Sequence, residues 1–241
     1  MQLRTRTANE LHVSDPAQRV SVEKAGNSEP EAKHTKRSLA AEPIPLPVSG
    51  IILCGGKSRR MGREKAFLPY AGATLIENRL DRMQALFAEV FLVTSQPEQF
   101  SHISANVVKD IVPDKGPLAG VLSGLLVSVF EHCFVMPCDM PLLDDQILRA
   151  MAARRHGLDM LLYQHDDTVE PLVGIYSRRC AAALEQAVFK GATHQISLVE
   201  GLATDTFCAP RSGKAALLPP HFDINSAGDY ARLLGRPAVR S

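Results

Sequence analysis

Short, nearly continuous apolar runs alternate with segments of helical period from about residue 49 onward, and this alternation restricts the chain more than any other feature. Residues 49–54, Ser-Gly-Ile-Ile-Leu-Cys, end in Gly55 and Gly56, the pattern of a buried strand running into a turn. Thr74 precedes Ile76, Leu80, Met83 and Phe87, spaced by four, three and four, so it caps a helix with one apolar stripe. Residues 89–94 and 106–109 read as strands, Pro117 opens an apolar helix to about Phe130, and 133–136 is a fourth strand. Asp144 starts a helix to about Arg155, residues 159–163 and 172–176 are strands, Asp166 and Asp167 form a polar hairpin tip, and 178–188 is helical. Strands apolar on both faces and separated by helices predict an α/β fold, a mostly parallel sheet covered by helices on both sides.

The first 48 residues are a different material. They hold no aromatic side chain, the first being Phe67, and their few apolar positions follow no period. Such a segment buries too little apolar surface to offset the entropy of ordering it, so residues 1–48 are expected to be a disordered tail ending in the proline-stiffened linker EPIPLPV. One domain over residues 49–241 remains. The tail lacks the apolar run of a secretory signal, and no segment approaches the roughly 20 apolar residues of a membrane span. The five cysteines are odd in number and widely spaced without a CxxC pair, which predicts neither a disulfide framework nor a zinc knuckle and makes a reducing cytoplasm the expected location. Lys and Arg total 27 against 26 for Asp and Glu, a net charge of +1. That balance gives no global field for nucleic acid or a membrane surface, so an anionic ligand must be caught by a local site.

In a sheet of this kind ligands lie beyond the carboxyl ends of the strands, near the reversal of strand order. The first strand is followed by Gly55, Gly56, Lys57, Ser58, Arg59, Arg60 and, a few residues on, Lys65; the third by Asp110, Lys115 and Gly116; the fourth by Cys138 and Asp139. Glycines at a strand end let backbone N–H groups approach a polyphosphate, whose charge Lys65, Arg60 and the other arginines can neutralise. The spacing is neither GxxxxGK[ST] nor GxGxxG, which weakens a P-loop or dinucleotide reading. Asp139 is placed to hold Mg²⁺, a hard cation usually bound by one or two carboxylates plus substrate phosphates. Read singly, the glycine pair is a tight turn and the aspartate a cap; together on one rim they point to phosphate chemistry.

At these residues the chain resembles a known family. LCGGKSRRMGREKA is similar to LAGGxSxRMGxDKA, the signature loop of the molybdenum cofactor guanylyltransferases (MobA), members of the nucleotidyltransferase superfamily with a Rossmann-like sheet. DIVPDKGPLAGVLSGL, MPCDMPLL, EPLVGIYS and DINSAGDY resemble the family's later segments in the same order, from about Ser49 to Leu234. The resemblance implies that Leu53, Cys54, Gly55 and Gly56 line the nucleotide, that Lys65 contacts its phosphates with Arg60 assisting, and that Asp110 meets the guanine. It further implies that Gly116 brings the backbone close to base or ribose, that Asp139 holds Mg²⁺, and that Asn225 sits by the metal or the pterin phosphate. Cys54 stands where the family has Ala, Glu64 where it has Asp, and Asp223 where it has the first Asn of NxN.

The implied reaction transfers GMP from GTP to the phosphate of Mo-molybdopterin with release of pyrophosphate, and the implied partners extend to molybdenum-insertion proteins and molybdoenzyme chaperones. The nucleophile is already an anion, so alignment and charge stabilisation replace a general base. Three other readings stand beside it. A CTP-dependent cytidylyltransferase of the same cofactor is disfavoured by the LxGG loop and the GPLAG segment. A sugar-phosphate nucleotidylyltransferase usually has a longer region after the metal aspartate. A non-catalytic nucleotide carrier is disfavoured by the presence of both Lys65 and Asp139. His102, His132, His156, His165, His194 and His221 show no metal-ligand spacing and read as ordinary surface residues, and Cys133 and Cys180 as small core residues.

Overall fold

The structure is a computed structural model that describes residues 44–55, 65–112, 115–193, 201–208 and 218–235. The expected tail through residue 43 and most of the glycine-rich loop, including Gly56 and Arg60, lie outside the described residues.

Strand β1 (Leu46–Leu53) opens ahead of Ser49. Leu46 pairs with Phe87, the register shifts between Leu46 and Ser49, and Val48 is fully buried. Pro47 sits in that irregular stretch, where a residue without an N–H interrupts no ladder bond. The linker expected through residue 48 therefore ends inside the sheet. Helix α1 (Leu75–Leu86) has the expected cap: Glu77 N donates to Thr74 Oγ1 at 3.3 Å, and Thr74 N donates to Glu77 Oε2 at 2.8 Å, a reciprocal capping box. Phe87, read as the last residue of that helical stripe, instead begins β4 (Phe87–Thr94) in extended backbone, its ring stacked 5.5 Å from Phe134. Packing across the sheet outweighs the helical spacing there.

The remaining elements are β5 (Asn106–Lys109), α2 (Pro117–Val127), β6 (His132–Pro137), α3 (Asp145–Ala153), β7 (Met160–His165), β8 (Thr168–Ser177) and α4 (Ala181–Phe189). Helix α2 stops short of Phe130 because Ser128 turns extended, its hydroxyl donating to Gly124 O at 2.7 Å. A two-residue hairpin, β2 (Pro69–Tyr70) and β3 (Ala73–Thr74), turns at Ala71 and Gly72, both with positive φ. Strand β9 (Thr204–Cys208) and helix α5 (Ala227–Leu233) complete the order. None of these last four elements was expected from the sequence.

Seven strands form one sheet in the order β5-β4-β1-β6-β8-β7-β9, and β8 alone runs antiparallel to its neighbours. Successive residues of β1 point to opposite faces: Ile52 joins a core with Ile76, Met83 and Leu148, whereas Ile51 and Leu53 join Leu118, Leu122 and Leu184. Helix α2 lies close on the second face because Gly120 and Gly124 meet β1; a Cβ at Gly124 would stand 2.6 Å from Ile51 Cδ1. From β1 the chain moves out to β4 and β5, then crosses back to β6 on the other side. The crevice between the carboxyl ends of β1 and β6 is thus where strand order reverses.

Candidate active site

Backbone pairing continues one step beyond the strands at this crevice. Cys138 N donates to Leu53 O at 3.1 Å, Cys54 N to Val93 O at 2.8 Å, and Asp110 N to Thr94 O at 2.8 Å. Leu53 and Cys54 are buried and spend these groups on the sheet, whereas Gly55 is exposed and a Cβ there would meet nothing within 4 Å. Among the described residues, Gly55 is therefore the first of β1's exit with no neighbour over its Cα.

Lys65 returns to the rim in a short 3₁₀ turn, Lys65–Phe67, and its ammonium donates to Asp139 Oδ2 at 3.2 Å and to Asn225 Oδ1 at 2.9 Å. The Lys65 and Asp139 side chains are only 15% and 22% exposed. Asn225 Nδ2 donates in turn to Asp223 Oδ2, so Lys65, Asp139, Asp223 and Asn225 form one connected polar group. The closing segment is fixed to β6 by its backbone as well, Ile224 N donating to Asp139 O at 3.1 Å while the Ile224 side chain is fully buried with Leu68, Leu75 and Phe222. Ser226 caps α5 by accepting from Asp229 N at 3.1 Å, and Asp229 Oδ2 accepts from Asn225 N at 3.2 Å. Sequence reading found Lys65, Asp139 and Asn225 but not Ser226 and Asp229, whose three-residue spacing is the signal that would have revealed the cap.

Burial pushes the Asp139 carboxyl above the ordinary aspartate range; the Lys65 ammonium pulls it back without overcoming burial, and Asp223 adds a further upward push. A carboxylate held partly dehydrated beside another negative group favours an added cation. Among the described residues, no three His, Cys, Asp or Glu side chains converge as a metal cage.

Asp110 and Gly116 lie on the same rim with structural duties of their own. Asp110 Oδ1 accepts from Val112 N at 3.0 Å and lies 2.9 Å from Ser123 Oγ, tying the turn after β5 to α2. Gly116 precedes α2 at φ 84°, and a Cβ there would sit 2.9 Å from Thr193 Cβ, so glycine is required by backbone and packing alike. The turn at residues 139–143 is gripped from behind by α1: Arg79 Nη2 donates to Met140 O, and Arg82 donates to Pro141 O and Leu143 O at 3.3 and 3.1 Å. Neither arginine was singled out in the sequence. The histidines are less dispersed than expected, since His165 and His221 stack with ring centroids 3.5 Å apart and His132 Nε2 is buried without a partner. Cys133 and Cys180 are fully buried, as expected.

No helix among the described residues is long and apolar enough to cross a membrane. Residues 50–205 match the family described as the MobA-like NTP transferase domain, well over half of the chain. A probable molybdenum cofactor guanylyltransferase of Pelotomaculum thermopropionicum is 34% identical over 143 residues, 59% of this chain and 70% of that protein. The molybdenum cofactor guanylyltransferase of Pseudomonas fluorescens is 35% identical over 153 residues, 61% of this chain and 76% of that protein. Among solved structures, molybdopterin-guanine dinucleotide biosynthesis protein A of Archaeoglobus fulgidus superposes with a TM-score of 0.66 at 27% identity, covering 77% of this chain and 96% of that one. With strand-end glycine, lysine and aspartate meeting at the reversal of strand order, the chain belongs to the MobA-like NTP transferase family and is a nucleotidyltransferase.

Proposed function

We propose that the chain transfers GMP from GTP to the phosphate of Mo-molybdopterin, giving the molybdopterin guanine dinucleotide form of the cofactor. The observation that carries this reading is the Lys65–Asp139 pair at the β1–β6 crevice, joined to Asn225 of the closing segment. The names of the two guanylyltransferase relatives supply the substrate class. A phosphate oxygen of the acceptor forms the new bond to the α-phosphorus of GTP, the bond from that phosphorus to the β-phosphate oxygen breaks, and pyrophosphate leaves with the electron pair.

Lys65 neutralises phosphate charge and is held in place for that by two oxygen acceptors. Gly55 leaves room for phosphate against the backbone. Asp110 accepts from the N1–H and 2-amino groups of guanine, donors that adenine does not offer in that arrangement. Mg²⁺ suits the donor set, since one hard, partly dehydrated carboxylate without a protein cage fits an ion that shares its coordination with phosphates and water. Bound at Asp139, the ion would stabilise charge on the phosphates as the leaving group departs.

The test is pyrophosphate release from purified protein supplied with Mg²⁺, Mo-molybdopterin and each of GTP, CTP, ATP and UTP in turn. Release with GTP above all others is expected. Release with CTP instead would assign cytidylyl transfer, and nucleotide binding without any release would assign a carrier.

A further inference from the structure

The closing segment meets the sheet at a second place besides Asp139. His165 ends β7 and His221 lies in the closing segment, and their rings stack with centroids 3.5 Å apart and planes only 4° apart. The β7–β8 hairpin makes His165 a firm platform. His165 pairs with Thr168 across a two-residue turn, and its Nε2 lies 2.9 Å from Glu170 Oε1, the two side chains 19% and 25% exposed. The Tyr163 ring stands 6.3 Å away on its other flank along β7.

Burial alternates along the closing segment. Phe222 and Ile224 enter the apolar cluster with Leu68 and Leu75, whereas His221, Asp223 and Asn225 stay outside the core. Such alternation puts His221, Asp223 and Asn225 on one side of an extended segment, with about 13 Å between the first and the last. Asn225 Oδ1 accepts from the Lys65 ammonium at 2.9 Å, and Asn225 Nδ2 donates to Asp223. Asp223 acts on both ends of this row, pushing the Asp139 carboxyl up and opposing the downward push on His221. Asn225 itself is exposed, so holding it in one geometry against Lys65 costs chain and side-chain entropy. Anchors on either side offset that cost. Beyond Asn225 stands the Ser226–Asp229 cap, and before it stand the buried Phe222 and Ile224 and the histidine stack.

We propose that His165 and His221 are positioning residues for nucleotidyl transfer, their stack fixing the closing segment so that Asn225 stays on the Lys65 ammonium. The inference rests on the reading that Lys65 serves the phosphates. It also makes the hold sensitive to protons. Glu170 from β8, Asp166 from the hairpin tip, Asp223 from the closing segment and Tyr163 from β7 face the two rings. Burial and then His165 hold the His221 imidazole below the ordinary histidine range, and the three carboxylates only partly oppose them. His221 is therefore uncharged at neutral pH, and acid that charges it works against the stack.

The experiment has one readout without transfer and one with it. Hydrogen exchange of the Ile224 amide, which donates to Asp139 O, reports whether the closing segment is docked. Exchange is expected to quicken at least about tenfold in His221→Ala and to stay within about twofold of the parent in His221→Phe, which keeps a ring to stack. In GMP transfer, His221→Ala should lose about tenfold in kcat with the KM for GTP changed less than about twofold, and His221→Phe should restore most of the loss. In an Asn225→Ala background, His221→Ala should cost less than about twofold more. Transfer by the parent should also fall more steeply from pH 7 to about pH 5.5 than transfer by His221→Phe. Unchanged exchange in His221→Ala, no recovery in His221→Phe, or a full further loss in the Asn225→Ala background would overturn the proposal. Should His221→Ala fail to fold, exchange of the unsubstituted chain at pH 7 and about pH 5, corrected for intrinsic rates, decides the matter. Loosening confined to residues 218–225 supports the stack as the hold, and uniform loosening or none rejects it. A parent without any transfer would sink the assignment of the reaction, while exchange would still show whether the stack docks the segment.

Discussion

Lys65 and Arg79 both reach the turn after β6, Lys65 from the open rim of the sheet and Arg79 from the buried face of α1. Lys65 finds two oxygen acceptors and neutralises a carboxylate already there. Arg79 finds one carbonyl and is left with two donors unmet. The difference teaches that charge alone does not mark a site. The cation at the rim is held by oxygen partners that the proposed phosphates could share, whereas the cation behind it is held chiefly by burial around α1.

The strongest way to break the comparison is to remove the carboxylate that makes Lys65 the satisfied member. Asp139→Asn should fold normally by circular dichroism yet lose about 10²- to 10³-fold in kcat, as for loss of a preorganised charge-stabilising group. Near-normal kcat at saturating Mg²⁺ would remove Asp139 from the chemistry. Lys65→Ala comes next, with a loss of about 2 to 4 kcal/mol in transition-state stabilisation read from kcat/KM. An unchanged kcat/KM would hand the role to the arginines of residues 56–64.

On the Arg79 side the expected effect is on stability. Arg79→Met, which removes the buried charge and its two unmet donors along with the bond to Met140 O, should lower the unfolding free energy by no more than about 1 kcal/mol, and a much larger loss would erase the contrast between the two cations. Asp110→Ala sharpens the comparison at a third point of the rim, because Asp110 orders its turn and is proposed to read the base. It should cost about 1 kcal/mol in urea unfolding and narrow the preference for GTP over ATP. A stability loss with intact selectivity would leave Asp110 a turn residue only.

The smallest effect belongs to the opposite end of β6, where burial lowers the His132 imidazole pKa. The folded chain refuses a proton that the unfolded chain accepts below about pH 6.5, so stability is lost as pH falls through that value. His132→Gln removes this titration and should make unfolding free energies at pH 7 and pH 5 differ less than in the parent. An unchanged difference would show that His132 takes no part.

Much of the rim was legible because its residues leave successive strands whose apolar runs are unmistakable. Lys65, Asp110 and Asp139 fall where the chain must turn, and Thr74 with Glu77 announces α1 by spacing alone. Arg79 stayed hidden because it shares the apolar stripe of Ile76, Leu80 and Met83, and a stripe read by its apolar members passes over the charged one. Strand β9 buries a single residue, Phe207, and pairs with a β7 more than forty positions earlier, so neither pattern nor locality betrays it. Helix α5 buries none of its residues fully, and it is held by the Ser226 cap and by Tyr230 and Leu233 half-buried against Leu68, Leu75, Phe222 and Ile224. Phe87 misled in the other direction, its helical spacing defeated by stacking on Phe134.

The bond from Lys65 to Asn225 joins residues 160 positions apart. At the ribosome, roughly 5 to 20 residues are added each second, so Asn225 follows Lys65 by about 8 to 32 s. The four mutually parallel strands β5, β4, β1 and β6 are complete in sequence once Pro137 has been made, long before that. A nascent chain can therefore build the crevice early and still lack the group that steadies its lysine. On the proposed role of Lys65, chains released before Asn225 should transfer GMP more slowly than the full chain.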